Sequence, residues 1–219
     1  MGSGNSKPVR SNQPGPHPRL AERVERHLTR PWRKPDAAHN APALAALAER
    51  LAADRRPRIL DSFCGTGDST RRLARAHPQR LVIGVDKSAR RLAAHGAVEG
   101  GYLLLHADCE AVWRALADSG ERLDRHYLLY PNPWPKAAQL GRRVHGHPAF
   151  PLLLTLGGEL ELRSNWRLYA EEFGVALHLA GIRGRVAALP PGPALTPFEA
   201  KYRASGHRLW HCRARLSRL

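Results

Sequence analysis

Apolar residues fall in short blocks along this chain, and their spacing changes once. Near the start the step is helical. Leu20, Val24 and Leu28 recur every four residues from Arg19 on, and Leu44, Leu47 and Leu51 share one face after Pro42. The stretch RPWRKP, Arg30 to Pro35, breaks the two apart. Before Arg19 there is no apolar period at all. Residues 1–18, MGSGNSKPVRSNQPGPHP, are rich in Gly, Pro, Ser and Asn, and are expected to be a flexible tail when no partner is bound.

Beyond residue 56 the pattern becomes strand, turn, helix, and repeats. RILDSFC (Arg58 to Cys64) is a short apolar run, then GTG turns into a helix beginning DSTRRLARAH. LVIGVD (Leu81 to Asp86) precedes a helix from Ser88, and YLLLHAD (Tyr102 to Asp108) precedes EAVWRALADSG. HYLLYPN (His126 to Asn132) and GELELRS (Gly158 to Ser164) are the fourth and fifth runs, with a helix from Trp166 to about Leu179. Such alternation predicts an α/β fold, a mostly parallel doubly wound sheet. The last run, HRLWHCRARL, alternates apolar and polar residues and reads as an antiparallel C-terminal strand. The organisation expected is one domain over 19–219, with a helical extension at 19–56.

Composition adds one strong fact. Hydrophobic residues at 42% and charged residues at 25% are ordinary for a globular chain, but 35 Lys+Arg against 19 Asp+Glu leave a formal charge of +16. That surplus points to a polyanionic partner, with nucleic acid the simplest. Arg71, Arg72, Arg75, Arg90 and Arg91 fall on expected helices and fit an RNA-facing surface. Cys64, Cys109 and Cys212 form no Cys-x-x-Cys pair, which disfavours zinc and a disulfide framework and suggests a reducing, cytoplasmic setting. No run is long enough to span a bilayer and no secretory h-region is evident, so no membrane partner is expected. A monomer is favoured.

Three successive strands end in an acid: Asp61, Asp86 and Asp108. Gly65 and Gly67 allow a tight turn after the first, and Asp86 lies about 20 residues on, where an acid takes the ribose hydroxyls of an adenosine cofactor. Position 70 is Thr, so the dinucleotide pattern Gly-x-Gly-x-x-Gly is not met. A cofactor without pyrophosphate fits better, which points to S-adenosylmethionine. The expected cofactor contacts here are Asp61, Phe63, Gly65, Gly67, Asp86, Lys87 and Asp108.

LLYPNPWPK, then Arg142–Arg143, then GGELELRSNW, then TPFE at Thr196 to Glu199 resemble, in order, the motifs of the tRNA (guanine-N7)-methyltransferase family. The resemblance spans roughly residues 58–215. It implies a class I Rossmann-like methyltransferase that uses S-adenosylmethionine, needs no metal and acts on tRNA or another structured RNA. It implies further that Asn132 sits near both cofactor and base, as the candidate catalytic residue, where the family carries an Asp. Lys136, Asn165, Thr196 and Glu199 fall on the substrate side, with Asn165 again where the family carries an Asp. The two asparagines mark a divergent paralogue. NPWP also resembles the Asn-Pro-Pro-aromatic motif of methyltransferases that act on exocyclic amines, of RNA or of a ribosomal protein. A noncatalytic RNA-binding relative is the third reading. His145 and His147 are expected to be exposed loop residues, and Trp113 a core residue.

Overall fold

The computed structural model describes residues 5–98 and 100–216; the first four residues of the expected tail lie outside the described residues. Among the described residues seven strands form one sheet: β1 (Arg58–Ser62), β2 (Leu81–Asp86), β3 (Tyr102–His106), β4 (Leu123–Leu129), β5 (Gly158–Ser164), β6 (Gly184–Ala188) and β7 (Trp210–Leu216). Their order is β3-β2-β1-β4-β5-β7-β6. The first five run parallel, and β7 is antiparallel to both of its neighbours. The helices are α1 (Leu20–Thr29), α2 (Ala41–Ala53), α3 (Asp68–Ala76), α4 (Ala89–Ala93), α5 (Cys109–Asp118), α6 (Phe150–Thr155), α7 (Arg167–Leu179) and α8 (Pro197–Ala204).

Every residue of β1 and β2 is buried, as central parallel strands covered on both faces require. β5 instead alternates. Leu160, Leu162 and Ser164 point inward, while Glu159, Glu161 and Arg163 point the other way. Two separate cores result. The larger joins Leu60, Ile83 and Val85 to Trp113, Phe150 and Phe173 from the helices on one face. The smaller joins Ile59 and Val82 to Leu73 of α3 on the other face, with Tyr127 and Leu129. Trp113 is core as expected, 1% exposed, with its indole N–H donating to Ser62 Oγ at 2.9 Å.

Several boundaries differ from the periodic reading. β1 stops at Ser62 because Phe63 turns into the left-handed region, φ 64°. β4 starts at Leu123, earlier than His126, because its first charged residues, Asp124 and Arg125, hide the strand. β6, α6 and α8 have no periodic signature of their own. β6 is a half-exposed edge strand held by pairing Val186 with Cys212. α8 forms because the Thr196 hydroxyl accepts the Glu199 N–H at 2.9 Å, with Pro197 at the first position. No described helix is long and apolar enough to cross a membrane. The three cysteines are free and buried.

α3 lies unusually close to β2. A Cβ at Gly84 would sit 2.2 Å from Thr70 Oγ1 and 2.7 Å from Leu104 Cδ2. Thr70 cannot retreat freely, since its hydroxyl donates to Asp61 at 2.8 Å. Gly84→Ala is therefore expected to cost about 1–3 kcal/mol through overpacking, read as a lower urea midpoint at unchanged slope.

Candidate functional site

Strand order reverses direction between β1 and β4, so the connections at their carboxyl ends diverge and leave a crevice. The chain builds that crevice from loops after β1, β2, β3 and β4. Asp86, 2% exposed, forms its floor. Its carboxylate accepts Gly65 N–H at 3.0 Å, Ser88 N–H at 2.8 Å and Arg91 Nη1 at 3.2 Å. The glycine turn is thus pinned onto Asp86. A Cβ at Gly65 would meet no atom within 4 Å, yet its φ of +62° requires glycine. At Gly67 the same space is taken by His95 and Leu104, so the missing side chain there serves close packing.

Asp61 lies beneath this turn and is fully buried. One carboxylate oxygen accepts the hydroxyls of Ser69 at 2.6 Å and Thr70 at 2.8 Å, while Oδ1 has no partner among the described residues. Burial pushes its carboxyl up to about 6, against the pull of the two hydroxyls. Asp108 stands at the start of α5 without making a side-chain capping bond, and is held instead from the N-terminal extension. Asn40 Oδ1 accepts its N–H at 2.9 Å, and its Oδ2 faces Asn40 Nδ2 at 3.3 Å and His39 at 3.2 Å.

A cavity of about 540 Å³ opens above this floor, with Phe63, Asp86, Lys87 and Asn132 among its walls. A smaller one of about 230 Å³ adjoins it, sharing Phe63, Lys87, Glu110 and His147 and adding Asp108 and Asn40. Phe63, Tyr130 and Trp134 have φ of 64°, 55° and 46°, the left-handed region that bulky side chains avoid. All three line the larger cavity. Each such residue costs on the order of 1–3 kcal/mol, and such strain gathers at functional sites. Arg142 covers the Trp134 ring at 4.8 Å.

The Tyr130–Lys136 segment is held from behind by Arg143, which is fully buried. Its guanidinium donates to the carbonyl of Trp134 through Nε and Nη2, each at 3.1 Å, and to that of Lys136 at 3.3 Å. Nη1 pairs with Glu172 of α7, also fully buried. Glu172 accepts in addition from His145 Nε2 at 3.0 Å, His17 N–H at 2.8 Å and Gln13 Nε2 at 3.1 Å. His145 is therefore not the exposed loop residue expected. It is 0% exposed, and burial lowers its imidazole below the ordinary histidine value, against the pull of Glu172. His147 is half-buried and lines both cavities. Burial alone would raise the Glu172 carboxyl, but the His145 hydrogen bond and the Arg143 charge hold it down at about 2. The segment before α1 closes over the same loop, with Ser11 Oγ donating to Pro135 O at 2.6 Å and Asn12 Oδ1 accepting Ala137 N–H at 3.2 Å.

The expected substrate-side residues do not line the cavities. Asn165 reaches His207 at 3.4 Å, Thr196 caps α8, and Lys136 is exposed beyond the rim. Glu199 is buried between Arg163 and Arg203, each at 2.9 Å. These contacts hold α8 so that Phe198, 48% exposed, projects into the cavity wall. Tyr202 stacks on Phe198 with centroids 6.3 Å apart. Periodicity did not mark Phe198, Tyr130 or Arg142, although all lie in the motifs TPFE, LLYPNPWPK and the Arg142–Arg143 pair. Asn40 and Glu172 carry no local signal. Among the described residues no group of three His, Cys, Asp or Glu could hold a metal ion.

A mostly parallel sheet in this order, an antiparallel last strand and a crevice over the ends of β1, β2 and β4 define a class I Rossmann-like methyltransferase fold. The family model described as "Putative methyltransferase" matches residues 55–212. The tRNA (guanine-N(7)-)-methyltransferase of Anaeromyxobacter dehalogenans (strain 2CP-C) is 34% identical over 70% of this chain and 83% of its own length. That of Pseudomonas entomophila (strain L48) is 33% identical over 70% of each. Among solved structures, the 16S rRNA methyltransferase KamB superposes with a TM-score of 0.58 at 19% identity, over 78% of this chain and 93% of that one, a likeness of fold. The chain belongs to the tRNA (guanine-N7)-methyltransferase family, and so to the S-adenosylmethionine-dependent methyltransferases.

Removing Glu172 leaves the Arg143 charge buried and unpaired. Glu172→Ala is expected to destabilise the protein by about 3–5 kcal/mol in urea unfolding. Because the folded carboxyl titrates at about 2 and the ordinary value is 4.5, this contribution is present above about pH 4.5 and is lost as pH falls through about 2. Glu172→Gln is expected to flatten the acid limb of the stability curve across that window.

Proposed function

We propose that this chain transfers a methyl group from S-adenosylmethionine to N7 of a guanine in tRNA. The observation that carries the reading is the cavity in which Asp86 lies at the floor, Asn132 at the mouth, and strained aromatic residues form the wall. The residues present fit the cofactor. Asp61 Oδ1 is a buried acceptor with no partner among the described residues, and Gly65 leaves open space above the turn. When bound, S-adenosylmethionine supplies an electrophilic methyl group on a sulfonium.

Asp86 holds the ribose hydroxyls in this reading. Its two oxygens offer about four lone-pair sites. Three donors already use it, of which Arg91, with its side chain 49% exposed, is free to swing out. Phe63, Glu110 and Asp108 frame the smaller cavity for the adenine ring. Guanine N7 has its own in-plane lone pair and no proton to lose, so the protein's task is to hold the ring in line. Trp134 and Phe198 present aromatic faces to that ring, and the ring becomes cationic on methylation, which such faces favour. The Asn132 carbonyl accepts the Trp134 N–H at a long 3.4 Å and remains able to take a donor from the guanine edge. The +16 charge supports RNA as the carrier of that base.

One observation favours a second reading. Asn132 is exposed at the cavity mouth beside Pro133 and Trp134, an arrangement in which its carbonyl could orient an exocyclic amine. Incubation with labelled S-adenosylmethionine and unmodified tRNA, followed by nucleoside analysis, decides between them. N7-methylguanosine is the expected product. A methylated exocyclic nitrogen supports the second reading, and RNA binding without transfer supports a noncatalytic relative.

Two variants sharpen the reading. Asp86→Ala is expected to weaken S-adenosylmethionine binding at least tenfold by calorimetry, since a charge-assisted hydrogen bond is worth roughly 1.5–3 kcal/mol. Asn132→Asp is expected to raise N7 transfer, by up to about a hundredfold, because a carboxylate aimed at developing positive charge is worth about 3 kcal/mol. Loss of N7-methylguanosine in that variant would contradict the role given to Asn132.

A further inference from the structure

The smaller apolar core stops at Tyr127 and Leu129. Past them, on the face opposite α7, the sheet carries charge instead of a helix-packing surface. Two rows cross it in register: Arg125, Glu159 and Arg215 over β4, β5 and β7, and Glu161, Arg213 and Arg185 over β5, β7 and β6. They line a cavity of about 530 Å³, to which Arg183 also contributes. A second of about 470 Å³ shares Arg125, Glu159 and Arg215 and adds Arg80 and Arg122. The two form one groove at the amino edge of the parallel strands, the edge opposite the cofactor crevice.

Seven arginines line this groove against three carboxylates, Asp124, Glu159 and Glu161. The carboxylates are taken up locally. Asp124 pairs with Arg80, Glu159 with Arg125 at 3.5 Å, and Glu161 with Arg213 at 3.0 Å. Arg122, Arg183, Arg185 and Arg215 have no carboxylate within 4.0 Å among the described residues, and all four are exposed. An open sheet face needs polar residues for solubility, but alternating signs achieve that; a surplus of one sign does not. The field also acts on its borders. His77 and His211 lie below the ordinary histidine value, first through burial and then through Arg125 and Arg80 beside the one and Arg213 beside the other.

We infer that this amino-edge groove binds the phosphate backbone of the RNA whose base is methylated at the carboxyl edge. The inference rests on the RNA substrate proposed above. Guanidinium forks match phosphate oxygens in pairs, and the large apolar side chains in the lining, Leu123, Tyr127, Leu160 and Leu216, are buried, so none projects as the kind of anchor a protein partner uses. The two edges lie about 20 Å apart along a seven-residue strand, a distance that a folded RNA spans.

The test uses the full chain, an unmodified transcribed tRNA and a triple variant, Arg183→Ala with Arg185→Ala and Arg215→Ala. The variant is expected to bind that tRNA about tenfold or more weakly near 0.1 M salt, with a log–log salt slope shallower by about 2 to 3. The KM for tRNA rises while kcat and S-adenosylmethionine affinity stay at wild-type values. Glu159→Gln, which removes a carboxylate from the groove, is expected to tighten binding several-fold, a gain that misfolding cannot mimic. Wild-type affinity and slope in the triple variant, or no tightening in Glu159→Gln, overturns the inference and leaves the groove to an acidic protein or a small polyphosphate. A wild type that binds no tRNA overturns it too. Transfer to an atom other than N7, with the groove variants behaving as stated, overturns the functional reading alone.

Discussion

The buried pair of Arg143 and Glu172 is the constraint on which the Tyr130–Lys136 side of the cavity depends. A guanidinium with no exposed surface has to satisfy its donors within the protein, and here they go to Glu172, Gln13 and the carbonyls of Trp134 and Lys136. One side chain therefore fixes α7, the segment before α1 and the loop after β4 relative to one another. Glu172 answers in kind, accepting from Gln13, His17 and His145 as well. A pair desolvated this fully contributes little net stability compared with apolar packing, but any rearrangement that separates it leaves a naked charge inside the protein. The loop is held in one place because every alternative is worse.

That fixity is what allows strained backbone at the cavity. Tyr130 and Trp134 adopt left-handed geometry within five residues, a state the loop alone would not hold. The carbonyl of Trp134 is gripped twice by Arg143, so the ring is presented to the cavity and covered by Arg142. On the opposite wall of the cavity the same logic runs through Asp86. Its carboxylate collects the N–H groups of Gly65 and Ser88, and Phe63 is turned out just before that loop. The two halves of the site thus rest on two carboxylates with opposite settings, Glu172 sealed among permanent partners and Asp86 at the cavity floor with one displaceable arginine.

The sheet divides the molecule's chemistry by face and by edge. One face is packed by α5, α6 and α7 into the larger core, and the other is packed by α3 over β1 and β2 and then gives way to arginines. The carboxyl edge carries Asp86, Asp108 and the aromatic rings, with Lys87, Arg91 and Arg142 beside them. The amino edge carries the arginine surplus. In a parallel sheet with long crossovers the two edges are built by different loops, so they can be specialised independently.

The chain's own pattern determined the strand and helix alternation, because central strands buried on both faces must be continuous apolar runs, as LVIGVD is. It determined the acids at the strand ends, the glycine turn before Asp86, the motifs LLYPNPWPK and TPFE, and the cationic surplus. Each of these is visible within a few residues, or as a sum over the chain. The tertiary structure alone decided the rest. It set Asn40 against Asp108, and Gln13 against Glu172, 159 residues away. It buried His145, turned Thr196 and Glu199 into braces for Phe198, drew β6 out of an unpatterned stretch, and gathered arginines from three strands and from loops that precede strands into one groove. A residue's period reports only whether its own element has a buried side. Contacts between distant positions leave no period, so they become readable only once the strands have been placed side by side.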